Sequence, residues 1–240
     1  MNILLISDNK FLIEAFNNLV QRKGLSGQHS FHYVCSPVNK SLLADTSLPV
    51  PLGSIDMKND YRELIGKYEL IFSLHCKQLF PAELVNKVRC INVHPGLNPY
   101  NRGWFPQVFS ILNGKKAGAT IHEIDEELDH GAVIVQKGIT IEAHDTSLTA
   151  YEKIQQAEVE LLDEHLEAII ANTYQSFLPA EEGNVNLKKD FNALCKIDLD
   201  KQVTMKEAID YLRAMTHGDY ANAWFTDANG KKVYVKITLQ

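Results

Sequence analysis

Net positive charge, long apolar runs and the glycine-rich catalytic signatures are all missing from this sequence. Lys and Arg number 24 against 30 Asp and Glu, a formal charge of −6, and the sequence pI is about 5.8. That balance gives no electrostatic footprint for nucleic acid, although a local anion site needs only a few donors. No apolar run approaches the ~18 residues of a membrane span, so no membrane partner is expected. The start, Met1-Asn2-Ile3-Leu4-Leu5-Ile6-Ser7-Asp8, has no basic residue and soon meets an acid, so no secretory signal is expected there. Cys35, Cys76, Cys90 and Cys195 have neither metal-type nor redox-type spacing and read as reduced thiols of a cytoplasmic protein. Gly-x-Ser-x-Gly, Walker-type and Gly-x-Gly-x-x-Gly motifs are absent. Covalent serine hydrolysis, P-loop phosphoryl transfer and dinucleotide redox chemistry therefore lack their usual signatures. His94, His122 and Asp129 fit no compact ligand motif, so no metal site is expected.

What is present is an ordinary globular composition, with 45% apolar and 22% charged residues over 240 positions. This length suits one substantial domain with a small appendage. A short continuous apolar run predicts a buried strand over 1–7, and 31–35, 69–74 and 90–94 are further strand candidates. Between them, helical spacing marks 11–20 and 61–68, and Pro81 marks the first residue of a helix running to Val88. Strands alternating with helices imply an α/β fold with a mostly parallel sheet. A short helix over 104–112 follows, then strands over 118–124 and 132–141 joined by an acidic connection, and one long helix over 147–174. The stretch 178–186, with Pro179, Glu181, Glu182 and Gly183, reads as a linker. Beyond it come a helix over 204–216 and a β-hairpin around Asn229-Gly230. The expected domains are 1–178 and 179–240.

Asn92 and His94 lie two apart on a predicted strand, so both side chains share one face. Pro95-Gly96 ends that strand, and ligands of open parallel sheets bind just beyond such carboxyl ends. An amide N–H suits a developing oxyanion, and an imidazole suits proton transfer near neutral pH. On this strand alone a structural role is the stronger reading. Asp129 adds a carboxylate that can orient a histidine, or it is one more solvated acid of the run 125–129.

The run Asn92-Val93-His94-Pro95-Gly96-Leu97-Asn98-Pro99-Tyr100-Asn101-Arg102-Gly103 is followed by Gly118-Ala119-Thr120-Ile121-His122 and Asp125-Glu126-Glu127-Leu128-Asp129-His130-Gly131. In this order the three segments resemble the folate-dependent formyltransferases, over residues 1–174. That family includes the glycinamide ribonucleotide, methionyl-tRNA and sugar N-formyltransferases. The resemblance implies a Rossmann-like domain, N10-formyltetrahydrofolate as formyl donor, and Asn92, His94 and Asp129 as the catalytic residues. In the implied chemistry an unprotonated amine attacks the formyl carbon and Asn92 and His94 stabilise the oxyanion. His94, held by Asp129 or an intervening water, relays the amine proton toward N10, and no metal is required. By family position the pterin lies against Lys77, Gln78 and Leu79 and against the loop from Ile124 through Glu126 to Asp129.

The acceptor is narrowed by departures from the family pattern. Ser7-Asp8-Asn9-Lys10 lacks the glycine-rich turn that holds the phosphate in the ribonucleotide enzyme. Asn9 and Lys10 remain candidates for holding a diphosphate, with a plain helix cap as the alternative. The tail over 179–240 lacks the basic excess of the tRNA enzymes. Gly96, Asn98 and Asn101 stand where the family usually has Ser, Leu and Tyr. The forms Pro99-Tyr100-Asn101-Arg102-Gly103-Trp104 and Thr216-His217-Gly218-Asp219-Tyr220-Ala221-Asn222-Ala223-Trp224-Phe225 resemble nucleotide-sugar formyltransferases acting on dTDP-4-amino-4,6-dideoxyglucose, which serve bacterial surface polysaccharides. Lys77, Arg102 and Trp104 join Asn9 and Lys10 as expected substrate contacts, with a neighbouring carboxylate as the alternative partner of Arg102. A homodimer through the C-terminal helix and hairpin is expected, unless the apolar hairpin residues pack onto the parent domain. Alternatives are transfer to methionyl-tRNA or glycinamide ribonucleotide, formyltetrahydrofolate hydrolysis with water as acceptor, and non-catalytic binding of folate or nucleotide sugar.

Overall fold

Four apolar residues in a row, Ile3 to Ile6, cannot all face one side of a strand, because successive side chains alternate. Their strand must be covered on both faces, and the computed structural model, which describes residues 1–41 and 45–239, shows this. The chain runs β1 (Asn2–Ser7), α1 (Lys10–Arg22), β2 (Ser30–Cys35), β3 (Gly53–Ser54), α2 (Met57–Asp60), β4 (Leu70–Leu74), α3 (Ala82–Val85), β5 (Arg89–His94), β6 (Arg102–Gly103), α4 (Pro106–Asn113), β7 (Ala117–Glu123), β8 (Val133–Ile139), α5 (Ser147–Ala171), β9 (Val185–Asn186), α6 (Lys188–Leu194), α7 (Met205–Met215), β10 (Thr216–His217), β11 (Tyr220–Ala221), β12 (Ala223–Thr226) and β13 (Lys232–Val235).

The seven-stranded sheet has the order β3-β2-β1-β4-β5-β7-β8. The first five of these strands are parallel, while β7 pairs antiparallel with both β5 and β8. On one face Ile3 and Leu5 pack with Phe16 of α1 and Ile154, Leu161 and Leu162 of α5. On the other, Leu4 and Ile6 pack with Ile71, Met57, Leu64 and Leu84. A third cluster, with Val108, Ile111, Phe191, Ala214 and Met215, joins the C-terminal segment to α4 and α5. The expected α/β architecture with its C-terminal helix and hairpin is thus present.

Several boundaries differ from the sequence reading, each for a local reason. The helix expected over 61–68 is displaced toward the N-terminus. Asp56 caps α2 by accepting from Lys58 N–H at 3.0 Å, and only one 3₁₀ turn, Tyr61–Glu63, follows before Gly66 at φ 79°. Pro81 is extended (φ −61°, ψ 143°) and stands outside α3, which is only one turn long. Asn172, left-handed at φ 56°, stops α5 before Tyr174. The expected linker is fastened down: β9 pairs parallel with β6, and Asn184 N–H donates to Pro99 O at 3.2 Å. Gly183 sits at φ +71°, and a Cβ there would lie 1.9 Å from Pro99 O, so no side chain fits. Helix α6 was not expected at all.

Candidate active site

Strand β5 delivers Asn92 and His94 to the carboxyl edge of the sheet, and β7 completes the site from beside it. The antiparallel register sets Asn92 opposite His122 and His94 opposite Thr120, so these side chains share a face. Asn92 Nδ2 donates to Asp129 Oδ1 at 2.9 Å and to His122 Nε2 at 3.1 Å. His122 can accept there because its Nδ1 donates to Glu123 O at 2.6 Å, leaving a lone pair on Nε2. Both amide hydrogens of Asn92 are therefore engaged. A ligand oxygen must draw one of them away.

Asp129 closes the constellation from the β7–β8 connection. It is left-handed (φ 49°), a strained setting for a non-glycine residue, of the kind found at functional sites. Its Oδ2 accepts from Gly103 N–H at 3.0 Å and stands 3.5 Å from His94 Nδ1. Its backbone carbonyl accepts from Asn98 Nδ2 at 2.8 Å. Asn98 is placed in turn by Thr120, whose Oγ1 accepts from Asn98 N–H at 3.0 Å and donates to Gly96 O at 2.6 Å.

Burial pushes the His94 pKa down to about 4, against the opposing pull of Asp129. Burial acts the other way on Asp129, but His94, His122 and the Gly103 N–H outweigh it and lower its carboxyl to about 2. Near neutral pH the site thus holds a neutral imidazole beside an ionised carboxylate. His94 Nε2 and Asn98 Oδ1 are buried without a partner among the described residues, a costly condition that a bound polar ligand relieves. The ring owes its room to Gly96: a Cβ there would lie 2.5 Å from His94 Nε2 and 2.9 Å from Cδ2.

The remaining expected residues fall into three places. Lys77 N–H donates to Asp8 Oδ2 at 2.8 Å, and Gln78 uses its side chain on Ser36, Ile55 and Met57. Leu79 is 75% exposed, and its backbone N–H and C=O have no partner among the described residues. Ile124 N–H donates to Cys90 O at 2.8 Å, while Glu126 accepts from Asn86 Nδ2 at 3.1 Å. Asn9 caps α1 by accepting from Leu12 N–H at 3.0 Å, and Lys10 reaches outward to Asp45 O at 2.8 Å. The guanidinium of Arg102 is buried and pairs with Glu182 at 3.0 Å. Trp104 lies under Lys188, whose Nζ is 5.1 Å from the ring.

A cleft of about 200 Å³ opens between Asn98, Arg102 and Asp129 on one side and residues 178–182 on the other. A larger cavity of about 530 Å³, between α4 and α7, holds none of the expected site residues. Sequence reasoning gave Asn98 and Thr120 no role in the site and weighed His122 only as a metal ligand. The signal available for them was polarity at inward positions of an alternating strand and its neighbouring loop, which register alone turns into contacts.

A family profile described as "Formyl transferase" matches residues 53–166, and one described as "N-formyltransferase dimerization C-terminal domain" matches 190–240. The chain is 51% identical over 185 residues, 77% of its length and 79% of the relative, to dTDP-4-amino-4,6-dideoxyglucose formyltransferase of Mycobacterium tuberculosis. A solved 4-N formyltransferase from Francisella tularensis is 47% identical, with 100% of this chain and 98% of that one covered and a TM-score of 0.94. A sugar N-formyltransferase from a Shewanella species matches with the same identity, coverage and TM-score. With this similarity along its whole length and the Asn92–His94–Asp129 constellation in place, the chain belongs to the formyltransferase family, beside its sugar N-formyltransferases.

Proposed function

We propose that the protein moves a formyl group from N10-formyltetrahydrofolate to the 4-amine of dTDP-4-amino-4,6-dideoxyglucose, in the cytoplasm, for surface polysaccharide synthesis. The observation that carries this reading is the convergence of Asn92, His94 and Asp129 on one buried edge, in a chain half identical to a relative named for that reaction. The unpartnered His94 Nε2 and the free backbone of Leu79 fit a polar, flat donor. When bound, that donor supplies the activated formyl group. Lys77, Gln78 and Leu79, with Ile124 and Glu126, would hold its ring system, and no metal takes part.

The chain's own residues then have distinct tasks. Asn92 shifts one amide hydrogen from His122 to the oxygen that gains charge. His94, neutral at working pH, takes or gives the proton at Nε2. Asp129 holds the imidazole and stabilises its charged form. Asn9, Lys10, Lys77, Arg102 and Trp104 form the acceptor side. Mixing purified protein with formyltetrahydrofolate and the amino sugar, with folate release followed optically and the product weighed, tests the reading. Release that needs the amino sugar supports it. Release without any amine points to a hydrolase, and no release with any acceptor points to a binding protein.

The second part of the reading is a homodimer formed by 179–240. Its support is the dimerization profile over 190–240 and the exposed Met205 (77%) and Tyr220 (71%). Met205→Glu with Ile209→Glu should lower the mass seen in sedimentation to that of one chain. An unchanged mass removes this interface.

A further inference from the structure

A hydroxyl–imidazole–carboxylate series lies at the same sheet edge, outside the Asn92–His94–Asp129 constellation. His75 follows the last residue of β4, and the β4–β5 register pairs Leu74 with Val93, so His75 sits next to His94. Its backbone is left-handed, φ 56°, an uncommon setting for any non-glycine residue. Its Nε2 lies 2.7 Å from Glu158 Oε1 and its Nδ1 lies 2.9 Å from the Tyr151 hydroxyl. Glu158 is fully buried on α5, and its other oxygen, Oε2, has no partner among the described residues.

The hydrogen positions in this series are fixed by one backbone contact. Leu12 N–H donates to Asn9 Oδ1, which turns Asn9 Nδ2 toward the cluster. Asn9 Nδ2 then donates to Tyr151 Oη at 2.9 Å and faces His75 Nδ1 at 3.3 Å. Tyr151, accepting from Asn9, directs its own proton to His75 Nδ1. Two donors meet Nδ1, so that nitrogen carries a lone pair and the ring proton is on Nε2, donated to Glu158. The direction is uniform: Asn9 to Tyr151 to His75 to Glu158. A fixed array of this kind accepts a proton at the Tyr151 end without moving a heavy atom.

An alkyl amine arrives at neutral pH largely as the ammonium, as a peptide α-amino group does, and must lose a proton before it can attack. Resting on the formyl-transfer reading above, we propose that Tyr151, His75 and Glu158 form the relay that receives this proton from the acceptor amine. In the step, the ammonium gives a proton to Tyr151 Oη as Tyr151 passes its own to His75 Nδ1. The amine becomes neutral, and His75 becomes an imidazolium paired with Glu158. No bond other than these O–H and N–H bonds changes. Tyr151, only partly exposed, is the end of the series away from the fully buried Glu158, and its ring lies 5.8 Å from that of His217 on β10. The ionisable groups facing the relay are His94 from β5 and His217 from β10; the first turn of α1 carries no acid, and Lys10 points away to Asp45.

The test compares wild type with Tyr151→Phe, Glu158→Gln and His75→Asn, asparagine being chosen because it tolerates the left-handed backbone. Acceptor kcat/KM should fall about 100-fold near neutral pH in Tyr151→Phe and His75→Asn, with the donor KM unchanged. The deficit should shrink as pH rises and water removes the amine proton. A deficit equal at every pH, or rates within twofold of wild type, overturns the relay while leaving formyl transfer standing. Absence of turnover in the wild type removes the transfer reading instead. The relay is then judged by ¹⁵N NMR of His75: protonation on adding the dTDP-amino sugar, but not dTDP, supports it, and an unchanged ring overturns it.

Discussion

The Asp129 carboxylate is held by the backbone of Gly103: its Oδ2 accepts from Gly103 N–H at 3.0 Å while Oδ1 accepts from Asn92. Both oxygens therefore face donors, and only a group with two acceptors satisfies them. Asp129→Asn must turn an N–H toward Gly103 or toward Asn92. Turnover should fall about 100- to 1000-fold with the circular dichroism spectrum unchanged. His94→Ala should do the same. A rate within tenfold of wild type in either variant would remove the assignment of these residues.

Gly96→Ala tests the room left for the imidazole. The added Cβ would stand 2.5 Å from His94 Nε2, so the ring must swing away from its place over Gly96. A loss of about 10-fold or more in kcat, with stability little altered, is the expected result, and a crystal structure of the variant should show the displaced ring. Full activity with His94 unmoved contradicts the geometry.

His94 also leaves a mark on stability. Its pKa is lowered from 6.5 to about 4 in the folded protein, so between those values the unfolded chain binds a proton that the folded one refuses. Stability must fall as pH drops through that window, by on the order of 3 kcal/mol from this residue. Asp129, lowered from 3.8 to about 2, adds slope of the same sign only at the acid end of that window, where the unfolded carboxyl begins to bind protons. Denaturant titrations at several pH values should show a flatter profile for His94→Gln than for wild type. Parallel profiles would mean the imidazole is not sequestered.

The Arg102–Glu182 pair is asymmetric: the Arg102 side chain is 5% exposed and that of Glu182 78%. Water replaces the exposed partner, so Glu182→Ala should cost less than about 1 kcal/mol. Arg102→Ala also removes the donor to Glu182 O at 3.2 Å and buried packing, and should cost about 2 kcal/mol. Urea unfolding of both variants ranks them, and the reverse order counts against the pairing.

Much of this arrangement was legible in the amino-acid order because it depends on local pattern. The unbroken apolar run of β1 predicts a strand buried on both faces, and the two-residue spacing of Asn92 and His94 places them on one face. Asp129 was legible only through resemblance, since nothing in an acidic run distinguishes the one carboxylate that folds inward at φ 49°. The Tyr151–His75–Glu158 series was not legible, because its members come together across 76 and 83 residues of chain, through sheet register and the packing of α5. Short elements such as α2 and α3 are decided by single caps, and periodicity over a wider window misplaces them.

The parallel pairing of β6 with β9 also bears on how this protein can be divided. Asn184 O and Asn186 O accept from the backbone of Arg102 and Trp104, the residues flanking the Gly103 that grips Asp129. A cut between the sheet domain and the tail therefore belongs after this tether, beyond Asn186. An excised sheet domain ending at Ala171 would keep every expected catalytic side chain and yet lose one wall of its own site. Exchanging tails between relatives calls for carrying 177–187 along with the sheet.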